Sequence, residues 1–296
     1  MNNPTVGHLG SASNPINQDR KWTAKKSYPL SLGAYVLALT VSAFAEGIRG
    51  LPWWYQLATA IACVLTLLFL AITYSIDPGV IPWSSTRDPL IAILDDPASD
   101  FADRENYQKD WLGQWMRQRP EGHWEKYCST CNIWRPPRAS HCNTCGFCMD
   151  RFDHHCAVVG NCVAQNNHRF FVAMLIFGQL GCLLLTAGAS WKLKHMGFPV
   201  DCDWRDPEIY ILLILDIIYA YNALMLLFGL AHCCSLLCDV TTKDLSAGRT
   251  LCVEPPCMGA RSLPNLIGSW KRVCCGPVRL KQTAGDKLLL DGQAQV

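Results

Sequence analysis

Cys128-Ser129-Thr130-Cys131 opens a stretch that continues, nine residues on, with His141-Cys142, then Cys145, Cys148, Asp153-His154-His155-Cys156, Cys162, Asn167 and Phe171. Seven of the chain's 17 cysteines fall in the 35 residues from Cys128 to Cys162. Most stand as Cys-x-x-Cys pairs interleaved with histidines, which is metal-ligand spacing rather than disulfide spacing. Structural zinc takes four Cys or His ligands, so two closed tetrahedral sites use eight side chains of the cluster. One cysteine and at least one histidine are left over. His154 and His155 project in different directions from a short loop, so one can serve metal while the other serves Cys156. A cysteine beside a histidine, itself preceded by an aspartate, is the constellation of an activated thiolate.

The full spacing C-x2-C-x9-H-C-x2-C-x2-C-x4-D-H-H-C-x5-C-x4-N-x3-F resembles the cysteine-rich domain of the DHHC-type protein S-acyltransferases (palmitoyltransferases) at every position named. The resemblance implies one zinc on Cys128, Cys131, His141 and Cys148 and a second on Cys142, Cys145, His155 and Cys162; spacing alone leaves that interleaved pairing open. It implies Cys156 as nucleophile, His154 as its base and Asp153 as the group that fixes the imidazole tautomer. The co-substrate implied is a long-chain acyl-CoA such as palmitoyl-CoA, and the acceptors are accessible cysteines of cytosolic or membrane-associated proteins. Arg135, Arg138, Arg151 and Arg169 are candidates for the acyl-CoA phosphates, with solvated surface charge or anionic-lipid contact as the alternative. Two features depart from the family pattern. Ala157-Val158 stand where Pro-Trp is frequent, which removes a bulky ring beside the nucleophile. Thr241-Thr242-Lys243-Asp244 resembles a Thr-Thr-x-Glu motif with one methylene lost.

Outward from this stretch the composition is that of a membrane protein: half the residues are hydrophobic, and they are concentrated in runs. The first runs from Leu30 to Ala45 and extends to Ile48; Arg49, Gly50 and Pro52 make the turn. Trp53, Trp54 and Tyr55 form an interfacial belt, and the second run ends at Ile76, before Asp77-Pro78-Gly79. That tripeptide also matches the family, and an ordinary helix stop is its simpler reading. A third run spans Phe170 to Trp191 and a fourth Ile209 to about Leu237. The fold expected is therefore an α-helical integral membrane protein, four transmembrane helices with a cytosolic two-zinc cysteine-rich domain between helices 2 and 3. The divisions are a tail over 1–28 without a signal-peptide pattern, helices 1 and 2 over 29–76, a linker over 77–126, the cysteine-rich domain over 127–171, helices 3 and 4 over 172–237, and a tail over 238–296. Of the loops between spans, one carries Arg49 and the other Lys192, Lys194 and Arg205; all other Lys and Arg lie in the two tails or the central loop. The positive-inside rule puts these in the cytosol, in the endomembrane system or plasma membrane, and a reducing cytosol suits thiolates on zinc.

Between Thr86 and Asp103 the acidic, proline-containing loop reads as a solvated linker. Tyr107, Trp111 and Trp115 recur at i, i+4, i+8, an amphipathic-helix pattern that would lie on the bilayer or pack on the zinc domain. On the third span Gly178, Gly181 and Gly188 read as close helix packing, or as a cavity for acyl chains. Asp216, costly inside the fourth span, should pair within the bundle or snorkel toward Lys192. Cys233, Cys234 and Cys238 are acylation candidates or packing residues. Cys202 lacks a partner among its loop residues. In the tail, Leu266, Trp270 and Val273 suit one short docking helix, and the last 15 residues suit disorder. With a net charge of only +2 and no basic recognition helix, nucleic-acid binding is excluded. The competing reading is a catalytically idle membrane adaptor, against which the joint presence of Asp153, His154 and Cys156 argues.

Overall fold

The computed structural model describes residues 27–120, 122–237 and 241–243. The basic N-terminal residues, Cys238, Asp244 and the docking helix expected around Trp270 lie outside the described residues, as do the side chains of Cys233 and Cys234.

Among the described residues four helices are long and apolar enough to cross a membrane. The first, α1 (Ser27–Ser42), runs into a π-helical turn (Ala43–Gly47); α2 covers Trp53–Ser75, α4 His168–His195 and α5 Pro207–Leu237. α4 packs against both α2 and α5. At one end of the bundle Ala43, Ile48, Leu51, Leu185, Ala189 and Tyr219 form a buried cluster. Gly188 makes this approach possible: a Cβ there would meet Ile48 Cγ2 at 2.8 Å and Leu51 Cδ1 at 3.1 Å. Gly181 faces Ala62 and Cys63, so both glycines serve close packing. Asp216 accepts a hydrogen bond from Ser190 Oγ at 2.9 Å. Lys192 is turned elsewhere, to the Glu208 carboxylate and the Glu46 carbonyl, so the bundle pairing of Asp216 replaces its snorkelling toward Lys192.

The segment from Ile76 to Asn167 is where the structure departs from expectation. Part of the solvated linker is a helix, α3 (Pro89–Asp95): Asp88 caps it by accepting the Leu90 N–H, Pro89 supplies a preset φ, and Ile91 and Leu94 bury one face beside Tyr127. The amphipathic helix expected through Tyr107, Trp111 and Trp115 is instead a β-hairpin. β1 (Tyr107–Lys109) pairs with β2 (Trp115–Gln118), Lys109 opposite Trp115 and Tyr107 opposite Arg117. The Asp110 carboxylate accepts the N–H groups of Leu112 and Gln114, and Gly113 takes φ +73°, so the chain reverses with Trp111 at the tip. β2 continues through β3 (Trp124–Cys128) to β4 (Ile133–Trp134), an antiparallel sheet that ends on the first cysteines. Two small ribbons follow: β5 (Ser140–Cys142) with β6 (Phe147–Met149), and β7 (His154–Cys156) with β8 (Asn161–Val163).

Asp-Pro-Gly does more than stop α2. Asp77 Oδ1 accepts the N–H groups of Gly79 and Val80, both at 2.8 Å, and Gly79 O accepts the Asp150 N–H at 2.8 Å. Val80 then bridges Met149, fastening the exit from the helix to the cysteine-rich segment.

Candidate active site

Each metal-type quartet is assembled by a short turn and a strand pair. His141 stands opposite Cys148 across β5 and β6, and its Nδ1 lies 3.5 Å from Cys128 Sγ, 3.4 Å from Cys131 Sγ and 3.8 Å from Cys148 Sγ. His155 stands opposite Cys162 across β7 and β8, with its Nδ1 3.7 Å from Cys142, 3.4 Å from Cys145 and 3.5 Å from Cys162. Zinc bonds of about 2.3 Å to sulfur and about 2.0 Å to nitrogen make a tetrahedron whose S···N edge is ~3.5 Å. Both quartets therefore fit a tetrahedral ion. Their acid–base chemistry agrees: hydrogen bonds from Cys128 and Cys131 push the Cys148 thiol far up, and Cys142 and Cys145 do the same to Cys162. Four sulfur and imidazole donors so crowded cannot all ionise without a cation between them, and a divalent ion removes that conflict.

Strand alternation separates the remainder. In β7, His154 and Cys156 lie two residues apart on one face while His155 between them faces the second quartet. His154 Nδ1 is 2.6 Å from Asp153 Oδ2, and its ring shares a strand face with Cys156, whose thiolate it favours. Asp153 is 2% exposed; its Oδ1 accepts the Thr242 N–H at 2.6 Å, and the Thr242 hydroxyl donates to the Asp153 carbonyl at 3.2 Å. Burial resists ionisation of Asp153, yet its hydrogen bond with His154 and the Thr242 N–H hold its pKa at about 2. Burial likewise opposes a charged His154, but Asp153 and the thiol raise it to about 9. For Cys156, burial would raise the thiol; the adjacent His154 ring and the N–H groups of Val159 and Val158 outweigh it and bring the thiol below its ordinary value.

The thiol also borders an apolar cluster. Leu70, Val159, Val163, Phe171 and Met174 are buried together, with Leu32, Phe69, Leu175 and Cys156 itself packed against them. Phe69 stacks on Phe177 at 5.6 Å, carrying the apolar wall along α2 and α4.

The four arginines are dispersed around this centre. Arg135 donates to Gln114 Oε1 on the hairpin side at 2.9 Å, Arg138 and Arg151 occupy tight turns at φ 65° and 45°, and Arg169 lies over the Phe170 ring in the first turn of α4.

Sequence reasoning gave no role to three groups that hold the site. Asn161 is fully buried and donates through Nδ2 to the carbonyls of Thr73, Tyr74 and Ile76 at the end of α2. Asn167, equally buried, donates to the Thr73 and Cys162 carbonyls and accepts the Ala164 N–H. His232, on α5, has its ring centroid 5.5 Å from that of His154, the planes tilted by 41°, with its Nδ1 3.8 Å from Asp153 Oδ2. For the asparagines the signal was their place beside Cys162 of the second quartet and at the start of the third span; for His232 it was an imidazole in an apolar run.

Comparison with known proteins converges on the same segment. The chain is 33% identical over 198 residues to palmitoyltransferase ERF2 of Yarrowia lipolytica, covering 62% of this chain and 48% of that protein. It is 34% identical over 178 residues to palmitoyltransferase erf2 of Emericella nidulans, covering 57% and 28%. To the probable protein S-acyltransferase 3 of Arabidopsis thaliana it is 31% identical over 209 residues, covering 67% and 49%. The chain thus spans about half, or less, of the length of these relatives. Residues 121–249, which contain both quartets, the Asp153-His154-Cys156 group and Thr242, match the DHHC palmitoyltransferase family.

Proposed function

We propose that the chain is a protein S-acyltransferase that moves a long-chain acyl group from acyl-CoA through acyl-Cys156 to a cysteine of a protein substrate. The observation that carries this is the thiol of Cys156, on the same strand face as an imidazole anchored on a buried carboxylate and set at the edge of an apolar cluster between membrane helices. In the first half-reaction the Cys156 thiolate attacks the thioester carbon, the new S–acyl bond forms, the CoA–acyl bond breaks, and His154 supplies the proton to the departing CoA sulfur. In the second, His154 takes the proton of the substrate cysteine, whose sulfur attacks acyl-Cys156; the acyl group leaves on the substrate and Cys156 returns. Thioester is exchanged for thioester, so no nucleotide is required. Asp153 keeps the imidazole oriented and stabilises its charged form.

Cys128, Cys131, His141 and Cys148 would hold one structural zinc and Cys142, Cys145, His155 and Cys162 the other. Zinc there supplies folding energy rather than chemistry. Arg135, Arg138, Arg151 and Arg169 are the cations offered for the phosphates of CoA. The loop charges favour a cytosolic face for the cysteine-rich domain and both termini, where acyl-CoA and substrate thiols meet it. A sixteen-carbon chain lying among the helices gains roughly 10 kcal/mol from burial, at about 0.8 kcal/mol per CH2.

The test is to offer purified protein a labelled palmitoyl-CoA and assay for a hydroxylamine-sensitive adduct. The expected adduct is abolished by Cys156→Ser. A folded, zinc-loaded protein that forms none would return the chain to the adaptor reading.

A further inference from the structure

We infer that Asp153, His168 and His232 form a third metal site, for a zinc-class divalent ion, whose occupation restrains acyl transfer. The inference rests on the assignment of Asp153 and His154 to that reaction. Three elements bring these residues together: Asp153 precedes β7, His168 opens α4 and His232 lies on α5. Each offers a ligand atom within 4.8 Å of the others. Asp153 is 2% exposed and His168 3% exposed, so neither is a solvated surface group. His168 Nε2 and His232 Nδ1 are buried with no hydrogen-bond partner among the described residues. Buried imidazole nitrogens normally find a partner; here both rings offer a nitrogen within 4.8 Å of one carboxylate.

The donor set is two imidazoles and a carboxylate, without sulfur. Three protein ligands with a fourth position left to water is the open arrangement of zinc, whereas the quartets are closed and thiolate-rich. Nitrogen and oxygen donors also accept cobalt and other ions of the same class. Closing the ligand atoms from their present separations to those of a zinc tetrahedron takes side-chain rotations of roughly an ångström.

Restraint follows from Asp153 Oδ2. That oxygen accepts the His154 Nδ1–H at 2.6 Å and is also the one nearest His232 Nδ1, at 3.8 Å. An ion on Oδ2 competes with His154 for its lone pairs. The imidazole then loses the anchor that orients it toward Cys156.

The test adds buffered Zn2+ to purified protein whose cysteine clusters already carry zinc, counting bound metal by elemental analysis. One further ion per chain is expected, with acyl-Cys156 formation slowing by about tenfold as it binds, the scale on which perturbing a metal shell acts. Co2+ in place of that ion should give weak d–d absorption and no sulfur-to-cobalt charge-transfer band. His232→Ala and His168→Asn should each lose the further ion while keeping the zinc of the clusters; because His168 is buried, the partly exposed His232 gives the decisive variant if the other misfolds. Absence of any further ion, its retention in His232→Ala, or a charge-transfer band that places it on Cys156 would overturn the site. Should acyl transfer itself be wrong, the metal count and the cobalt spectrum would stand while no adduct forms at any zinc level.

Discussion

Asn161 spends one amide nitrogen on three carbonyls at the end of α2, where the helix has run out of its own donors. Its Oδ1 accepts the N–H of Cys162, a member of the second quartet. One side chain thereby couples the last turn of a membrane helix to a metal-type cluster and, through β8, to Cys156 across the ribbon. Asn161→Ala leaves those carbonyls buried and unsatisfied, so a loss of about 2–3 kcal/mol is expected. Thermal unfolding in detergent reads the loss, and hydrogen exchange over residues 73–76 reads its place; unchanged exchange there would refute the coupling. In the sequence this asparagine is a polar residue beside a cysteine. Asp153, His154 and Cys156 were legible because their chemistry is written in residue type and adjacency, whereas the partners of Asn161 lie more than eighty residues back along the chain.

Among the elements, the β1–β2 hairpin shows how a periodic pattern misleads. Spacings of four and eight residues are even, so Tyr107, Trp111 and Trp115 satisfy a strand period as readily as a helical one. The turn chemistry of Asp110 and Gly113 decides, and it lay inside the same pattern. The sheet that results has an electrostatic pin. Glu125, 6% exposed, faces Arg117 and Arg119 at 2.7 and 2.9 Å. Burial would raise its pKa, but the two guanidinium groups outweigh this and hold it below the ordinary carboxylate range. A depressed folded-state pKa means stability that is fully present above the unfolded value of about 4.3 and lost as pH falls through the folded one. The sheet should therefore loosen in acid below about pH 4, and Glu125→Gln should flatten that part of the profile. Fluorescence of Trp134, which stacks under Arg117 at 4.6 Å, is the convenient probe; an identical acid profile in the variant would remove Glu125 from the account.

At the scale of the whole molecule, four apolar helices and a cysteine-rich segment meet where α2 ends and α4 begins. The bundle depends on approaches that only glycine permits. Gly188→Val would drive a side chain into Ile48 and Leu51, and overpacking of this kind costs about 1–3 kcal/mol. A lower melting temperature in detergent is expected, with Gly33→Val, in open space on α1, as the comparison that should change it little. Equal losses in the two would show that the penalty is not one of packing.

What the sequence by itself determined is whatever depends on local composition and spacing: four apolar runs of membrane length, eight metal-type ligands, and an Asp-His-Cys remainder. These follow from hydrophobic length and residue chemistry, which need no knowledge of the rest of the chain. Only the tertiary structure decided that the linker folds into a helix and a sheet, and that Asn161 and Asn167 cap α2. It alone brought Thr242 and His232 to Asp153. Those are contacts between distant parts of the chain, set by which buried polar groups can satisfy one another once the helices have packed.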